Sequence, residues 1–310
     1  MKIALISHHP ASGTTYSPAH YMENALRDSR IIYEHFDICQ ASSIPSGFDL
    51  YFRIDHGDYK DDIQADKHPA VFYVIDSHLK KPFKKIAKQA RHYDVVFCAQ
   101  QPSVEPLRKK AKTDVQWVPL GCDPRIHPKL DIPKKYDIGF VGRDAVKFDR
   151  GRHLSLLKEK FPNSFIGLTP STEMTQIYSA SKIGFNSSIQ NDVNMRVFEI
   201  LSCGCFLLTN KIKNDGLYEI LEEGKHFVTY THEKDLLDKA GYYLSHDHER
   251  EVIARAGHER VLQHYTYFHT LQRIFNYLAF KFGGKFNDLR LHSEFLPAGK
   301  NWSQLQRRPH

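Results

Sequence analysis

Cysteine and long apolar runs are both scarce in this chain. It has five cysteines in 310 residues, and none of them forms a Cys-x2-Cys pair. An odd and scattered set indicates neither a disulfide framework nor a zinc site. No apolar run approaches the roughly 20 residues that a membrane-spanning helix needs. The sequence therefore predicts neither a disulfide scaffold nor an integral membrane protein, and it places no metal site.

The N-terminus and the charge balance further restrict the class of protein and the ligands it could bind. MKIALISHHP has one lysine and an apolar run too short for a signal peptide, so it predicts a first β-strand and a cytoplasmic protein. A composition of 41% hydrophobic and 25% charged residues is typical of a globular protein. The net charge of +7 favours an anionic ligand such as a phosphate, or an anionic membrane surface. Few aromatic residues interleave with the basic ones, so a nucleic-acid partner is not favoured.

Two series of alternating strand and helix patterns divide the chain. The predicted strands lie at 2–7, 31–38, 49–55, 70–76, 94–99 and 115–120, then at 136–142, 163–168, 182–187, 205–209 and 226–230. The helix candidates lie at 17–29, 80–91, 102–112, 150–161, 172–180, 232–245 and 248–262. This rhythm predicts an α/β fold with two doubly wound parallel sheets, whose strand carboxyl ends face one cleft.

Proline content and periodicity set the predicted boundaries. The predicted segments are an N-terminal domain over 1–120, a linker over 121–135, a C-terminal domain over 136–262, a helix over 263–280 that crosses back to the N-terminal domain, and an extension over 281–310. The crossing helix carries an apolar stripe that predicts core packing. A peripheral membrane contact through this stripe and the basic tail is the alternative.

Five segments of the second half resemble the nucleotide-sugar-binding domain of GT-B glycosyltransferases. In order they read YDIGFVGR, IYSASKIGFNSS, NMRVFEILSCGCFLLTN, LYEILEEGKHFVTYTHEKDL and HERVLQHYTYFHTLQRI. They are most similar to the branch typified by the CgeB-like spore-maturation glycosyltransferases. The resemblance covers about residues 136–275, whereas the first half matches only in architecture. It implies a GT-B fold with two Rossmann-like domains.

The resemblance also implies a reaction. A sugar would pass from a nucleotide-diphosphate sugar to a hydroxyl-bearing acceptor, either a glycan, a protein or a small molecule. The donor would be a co-substrate, and neither a cofactor nor a metal would be needed. A nucleotide-sugar epimerase of the same fold and a non-catalytic sugar- or nucleotide-binding protein are the alternatives. Neither the donor's base and sugar nor the oligomeric state follows from the sequence.

A glutamate inside an apolar helix marks the predicted donor site. Glu199 stands in MRVFEILSC, where a buried carboxylate without a partner costs free energy. The resemblance implies that Glu199 accepts hydrogen bonds from the ribose hydroxyls of the donor. The alternative is an internal pair with Arg196, three residues earlier. The helix start at 191–196, with Asn194 as its cap, predicts a diphosphate site that includes Arg196.

Further donor contacts are predicted around this helix. After the strand ending in GFVGR, Gly142 and Arg143 lie beside the cleft, where a guanidinium can bind phosphate oxygens. The other cations of this segment are Lys147, Arg150 and Arg152. Asn191, Asp192 and Asn194 are predicted sugar and phosphate contacts. Related retaining transferases carry a glutamate where this chain has Asn191, so the stereochemical outcome is not transferable.

The acceptor side is predicted from polar residues at strand ends of the first half. Asp55 with His56, and Asp76 with His78, are carboxylate–imidazole pairs suited to removing a proton from an acceptor hydroxyl. Turn capping is the alternative role for these aspartates. The loop after the first strand, with His8, Gly13 and Thr14, is the predicted acceptor-side loop.

Overall fold

The computed structural model describes residues 1–8, 17–29, 31–57, 59–144 and 149–288. Within them, two parallel β-sheets are each covered by helices. The predicted α/β architecture with two doubly wound sheets is confirmed.

The N-terminal sheet has six parallel strands in the order β2-β1-β3-β4-β5-β6. They are β1 Lys2–Ser7, β2 Ile32–Asp37, β3 Leu50–Ile54, β4 Ala70–Val74, β5 Val95–Cys98 and β6 Asp114–Trp117. Three helices cover this sheet: α1 Pro18–Asp28, α2 Lys80–Gln89 and α3 Val104–Ala111. Every residue of β3, β4 and β5 is buried, which is why these strands read as continuous apolar runs.

The C-terminal sheet has five parallel strands in the order β11-β10-β9-β7-β8. They are β7 Tyr136–Val141, β8 Phe165–Gly167, β9 Ser181–Asn186, β10 Phe206–Asn210 and β11 Val228–Tyr230. The helices here are α4 Asp149–Lys160, α5 Ser171–Ser179, α6 Met195–Ser202, α7 Asp215–Ile220, α8 Glu233–Ser245 and α9 Asp247–His264. Each predicted strand end lies within three residues of the observed one, and β8 is the most shortened, from the predicted 163–168 to three residues.

A last helix, α10 Tyr267–Phe282, packs on the N-terminal domain. The Tyr277 hydroxyl donates to Asp114 Oδ2 at 2.7 Å, and Thr270 Oγ1 donates to the carbonyl of Pro119 at 3.2 Å. The stripe that sequence reasoning assigned to the core or to a membrane is buried, with Leu271, Ile274 and Leu278 inaccessible to solvent. Core packing is therefore the role of this stripe.

One apolar core runs through both domains. It joins α1 and α10 of the N-terminal side to α6 of the C-terminal side, while the outer face of each sheet has a core of its own. Among the described residues, no helix combines the length and the apolarity needed to cross a membrane. Most of the predicted extension, residues 289–310, lies outside the described ranges.

Candidate active site

A cavity of about 420 Å³ opens between the two sheets, where the carboxyl ends of their strands meet. Residues that come after β3, β4 and β5 form its N-terminal wall. Residues that come after β9 and residues at the start of α6 form its C-terminal wall. The lining residues are Ser17, Pro18, Asp55, His56, Gly57, Ile75, Asp76, His78, Gln100, Leu120, Arg150, Asp192, Asn194, Met195, Arg196 and Glu199. Nine residues considered for the site from sequence therefore line one cavity: Asp55, His56, Asp76, His78, Arg150, Asp192, Asn194, Arg196 and Glu199.

Glu199 is the carboxylate of α6 that reaches this cavity. Its exposed fraction is 6%, and Tyr21 Oη of α1 donates to its Oε1 at 3.4 Å. Arg196 does not pair with it, because Nε of Arg196 donates to the carbonyl of Val141 and Nη1 donates to Asn186 Oδ1, at 3.0 and 3.2 Å. The internal Glu199–Arg196 pair considered from sequence is therefore wrong, and Glu199 is available to a ligand.

Two guanidinium groups form the cationic part of the C-terminal wall. Arg196 packs against the ring of Phe140, and Arg150 is 8% exposed with its Nε donating to the carbonyl of Ser187 at 2.9 Å. Burial, and next the charge of Arg196, lower the pKa of Arg150 to about 10, so it is cationic at neutral pH. Neither guanidinium forms an ion pair within the described ranges, although the charge of Asp192 acts on Arg150. The two guanidinium groups are the cationic groups that an anion would contact on this wall.

Arg143 and Gly142 lie beside a different cavity. Arg143 is exposed and borders a space between α4 and β8, together with Arg152, which forms an ion pair with Glu233. Of the four cations considered after β7, the structure brings Arg150 into the cleft. Lys147 lies outside the described residues.

The local structure explains why position 142 is a glycine. Its φ of 150° is unfavourable for other residues, and a Cβ there would lie 2.4 Å from Nη2 of Arg196. The glycine lets the Arg196 guanidinium pass beside the end of β7. It supports the cationic wall without lining the cavity.

The loop between β9 and α6 is held by its own side chains. Asp192 Oδ1 accepts hydrogen bonds from Ser188 Oγ at 2.7 Å and from the backbone N–H of Ile189 at 2.8 Å. Asn191 has a φ of 62°, which asparagine tolerates, and its Oδ1 accepts from the N–H of Lys213 at 2.9 Å. Asn191 therefore lines a neighbouring cavity rather than the one that holds Glu199.

Asn194 occupies the N-cap position of α6 but makes no side-chain cap hydrogen bond. Its Nδ2 lies 3.4 Å from Asp192 Oδ1, and its Oδ1 is buried without a partner among the described residues. Because Asn194 lines the cavity, its amide is placed to contact a ligand at the helix N-terminus.

The two aspartates of the N-terminal wall have different surroundings. Asp55, 4% exposed, accepts four hydrogen bonds: from the N–H groups of Gly57, Ile75 and Asp76 and from the Tyr59 hydroxyl. Asp55 thus holds the turn that carries Asp76. Burial, and next the charges of Asp55 and Asp192, raise the pKa of Asp76 to about 6. A carboxylate poised near neutrality suits proton transfer.

The predicted histidines divide between the cavity and its surroundings. His78 lines the cavity, its Nδ1 is buried without a partner in the described structure, and burial lowers its pKa. His8 lies outside the cavity lining, with its Nδ1 3.3 Å from Asp37 Oδ2. Gly13 and Thr14 lie outside the described residues. In the part of the chain that the structure describes, no three His, Cys, Asp or Glu side chains cluster as a metal site.

Gln100 and Tyr21 are cavity-side residues that sequence reasoning missed. Gln100 is 2% exposed; its Oε1 accepts from the N–H of Val193 at 3.0 Å and its Nε2 donates to the carbonyl of Val193 at 3.3 Å. It therefore ties the end of β5 to the loop before α6. The sequence offers one signal for Gln100, its position directly after a buried strand. No feature of the sequence indicates the contact between Tyr21 and Glu199.

Comparison with protein families gives one match in the C-terminal half. Residues 139–276 match the model of a family described as glycosyl transferase-like. They include the end of β7, the loop 187–194 and α6, so the match covers the whole C-terminal wall of the cavity. No curated protein matches the chain in sequence.

Solved structures of GT-B glycosyltransferases match the whole fold at low identity. Sucrose-phosphate synthase from Thermosynechococcus elongatus is 13% identical, with a TM-score of 0.64 over 91% of this chain and 100% of that chain. HepE from Anabaena, in complex with UDP and glucose, is 13% identical, with a TM-score of 0.63 over 90% and 99%. An alpha-glucosyltransferase in complex with UDP and a 13-mer DNA is 12% identical, with a TM-score of 0.67 over 89% and 98%. These likenesses show the fold.

Proposed function

We propose that this chain, a glycosyltransferase with the GT-B fold, transfers a sugar from a nucleotide-diphosphate sugar to a hydroxyl-bearing acceptor without a metal ion. One observation carries the proposal. Glu199 and the Arg150–Arg196 pair form one wall of an interdomain cavity whose opposite wall carries Asp76, with its pKa near neutrality. A donor held on the first wall would present its sugar to an acceptor activated at the second.

The donor wall suits a ribose and a diphosphate. The Glu199 carboxylate can accept hydrogen bonds from two vicinal ribose hydroxyls, and Tyr21 Oη orients it. Arg150 uses Nε and Nη2 for the carbonyl of Ser187, and Arg196 uses Nε and Nη1 for Val141 and Asn186. The remaining donors, Nη1 of Arg150 and Nη2 of Arg196, would bind the diphosphate with Asn194 and the α6 N-terminus.

These cations also supply the chemistry. As the sugar–phosphate bond breaks, negative charge develops on the leaving nucleoside diphosphate. Two fixed guanidinium groups in a partly buried wall stabilise that charge, the task that a divalent cation performs in metal-dependent enzymes. The proposal of metal independence rests on them.

On the acceptor wall we assign proton removal to Asp76. Asp55 fixes the Asp76 turn through the N–H groups of Ile75 and Asp76, at 2.9 and 3.1 Å. His78, on the same turn, would contact the acceptor. Asn191 lines the neighbouring cavity, so it supplies no group to the active-site cavity.

Two finer expectations belong to the same proposal. The resemblance of residues 136–275 to the CgeB-like branch supports membership of that branch. A cytoplasmic location is expected, because the donor wall requires a nucleotide sugar.

Product analysis tests the proposal directly. The protein is incubated with UDP-, GDP- and dTDP-sugars, and released nucleoside diphosphate and altered sugars are both measured. Sugar transfer, to water or to an added acceptor, predicts nucleoside diphosphate release, and Glu199→Ala should lower that release at subsaturating donor. A changed sugar still attached to its nucleotide would make the protein an epimerase, and binding without any product would make it a non-catalytic binding protein.

A further inference from the structure

Two more cavities continue from the active site toward the surface along α2 and α3. One, of about 320 Å³, shares His78 and Gln100 with the active-site cavity. The other, of about 680 Å³, shares Ser77, His78, Phe83 and Gln190 with the first. Since His78 lines all three, they form one groove that begins beside Asp76. We call it the lateral groove.

The lateral groove is cationic. Lys80, Lys84 and Lys110 line its outer part and Lys213 lines its inner part, whereas neither cavity has an aspartate or glutamate in its lining. Helix α2, KKPFKKIAKQ, contains no acidic residue, and the acidic residue of α3, Glu105, pairs with Arg108. Among the described residues these four lysines form no ion pair. Their charge is available to a ligand.

The groove also has the features of a binding site for an extended molecule. Phe83 and Pro106 give it apolar walls, and the Gln190 amide gives it a neutral hydrogen-bonding group. The three unpaired lysines that line the outer cavity, Lys80, Lys84 and Lys110, repel one another, and an anionic ligand relieves that repulsion. A site built only for a neutral sugar would not need them.

We propose that the lateral groove binds the acceptor, and that this acceptor carries phosphate groups next to the hydroxyl that receives the sugar. The inference rests on the proposed function, because it places the acceptor hydroxyl at Asp76. A phosphate over Lys80, Lys84 and Lys110 would orient the acceptor with its hydroxyl toward His78 and the cavity. The phosphate could belong to a soluble phosphodiester chain or to a lipid headgroup.

Binding of defined probes separates these sources. The soluble probe is a glycerol-phosphate hexamer, with maltohexaose as its neutral counterpart. The lipid probe is a phosphatidylglycerol vesicle, with phosphatidylcholine as its zwitterionic counterpart. We expect the wild-type protein to bind the hexamer or the phosphatidylglycerol vesicle at least tenfold more tightly than the counterpart, and the preference to weaken as salt rises.

The test variant is Lys80→Gln with Lys84→Gln and Lys110→Gln, and its matched control is Lys81→Gln with Lys88→Gln and Lys109→Gln. The control removes the same charge from the same helices, at exposed positions that line neither cavity. The proposal predicts at least a tenfold loss of binding in the first variant and less than a twofold loss in the control. Equal losses, or equal binding of charged and neutral probes by the wild type, would overturn it.

Nucleotide binding measured on the same samples keeps the two proposals apart. A wild-type protein that binds a nucleoside diphosphate but shows no preference for phosphate-bearing probes refutes the lateral-groove proposal alone. A protein that binds no nucleotide refutes the proposed function on which it rests.

Discussion

At the scale of single residues, Asp76 is held in surroundings that oppose its charge. Its pKa of about 6 lies above the usual aspartate value of 3.8, so the folded protein binds more protons than the unfolded chain between these values. The folded state is therefore favoured below pH about 4 and loses that advantage as pH rises through 6. At pH 7 the wild type carries the full cost of the buried carboxylate.

Asp76→Asn should therefore stabilise the fold while it removes activity. We expect a gain of about 1–2 kcal/mol in the free energy of unfolding at pH 7.5, part of the shift being screened by solvent, and no gain at pH 4. Transfer should fall by at least about a hundredfold. Chemical denaturation at the two pH values measures the first effect and initial rates the second. A variant that is active and no more stable would show that Asp76 is an ordinary surface carboxylate.

The wild-type pH profile follows from the same residue. Because the base form of Asp76 is required, kcat/KM should decline about tenfold per pH unit below pH about 6. Initial rates at subsaturating donor between pH 4.5 and 8 give the profile. A rate that stays constant down to pH 4.5 would assign proton removal to another group.

Gly142 makes the cationic wall testable without touching a charge. In Gly142→Ala the new Cβ would collide with Nη2 of Arg196, at 2.4 Å, and force the guanidinium away from Val141 and Asn186. Nucleoside diphosphate should bind about tenfold more weakly in calorimetry, as expected for one lost charge-assisted contact. Gly167→Ala is the control, since no atom lies within 4 Å of its added Cβ. If both variants bind nucleoside diphosphate with equal affinity, Arg196 is not part of the diphosphate site.

At the scale of elements, Gln100 connects the N-terminal sheet to the helix that carries Glu199. Gln100→Ala would leave the buried N–H and carbonyl of Val193 without their partner. We expect a loss of about 1–2 kcal/mol in unfolding free energy and several-fold weaker nucleotide binding. Gln101→Ala, at the next position and outside the cavity lining, is the control. Unchanged nucleotide affinity in a destabilised Gln100 variant would limit Gln100 to a structural role.

The elements themselves were largely predictable, because buried parallel strands read as apolar runs. The strand ends that carry Asp55 and Asp76, and the helix that carries Glu199, follow directly from that pattern. Strand β8 was predicted too long, since its three residues lie at the sheet edge with one neighbour to define their extent. The short helix α7 was missed because its six residues are too few for a periodic signal.

At the scale of the whole molecule, the sequence could predict which loops face the cleft but not which side chains enter it. The sequence alone does not distinguish Arg143 from Arg150 as a ligand of phosphate. The course of α4 puts Arg150 against Ser187 and leaves Arg143 exposed. The contact between Tyr21 and Glu199 joins residues 178 positions apart, so it depends on how the two domains meet. The lateral groove depends on that arrangement as well.

The central claim is that Glu199 holds the ribose of a donor nucleotide in the interdomain cavity. The measurement that tests it most directly is a thermal-shift panel of UDP, GDP, dTDP, ADP and CMP on the wild type and Glu199→Ala, with Glu219→Ala, an exposed glutamate of α7, as the control. A ligand at a hundred times its dissociation constant adds about 2.7 kcal/mol of stability.

We predict that one nucleotide raises the melting temperature of the wild type and of Glu219→Ala. In Glu199→Ala its binding should weaken by about 1–3 kcal/mol, because the ribose hydroxyls lose their acceptor. The same shift in all three proteins, or no shift with any nucleotide, would contradict the claim.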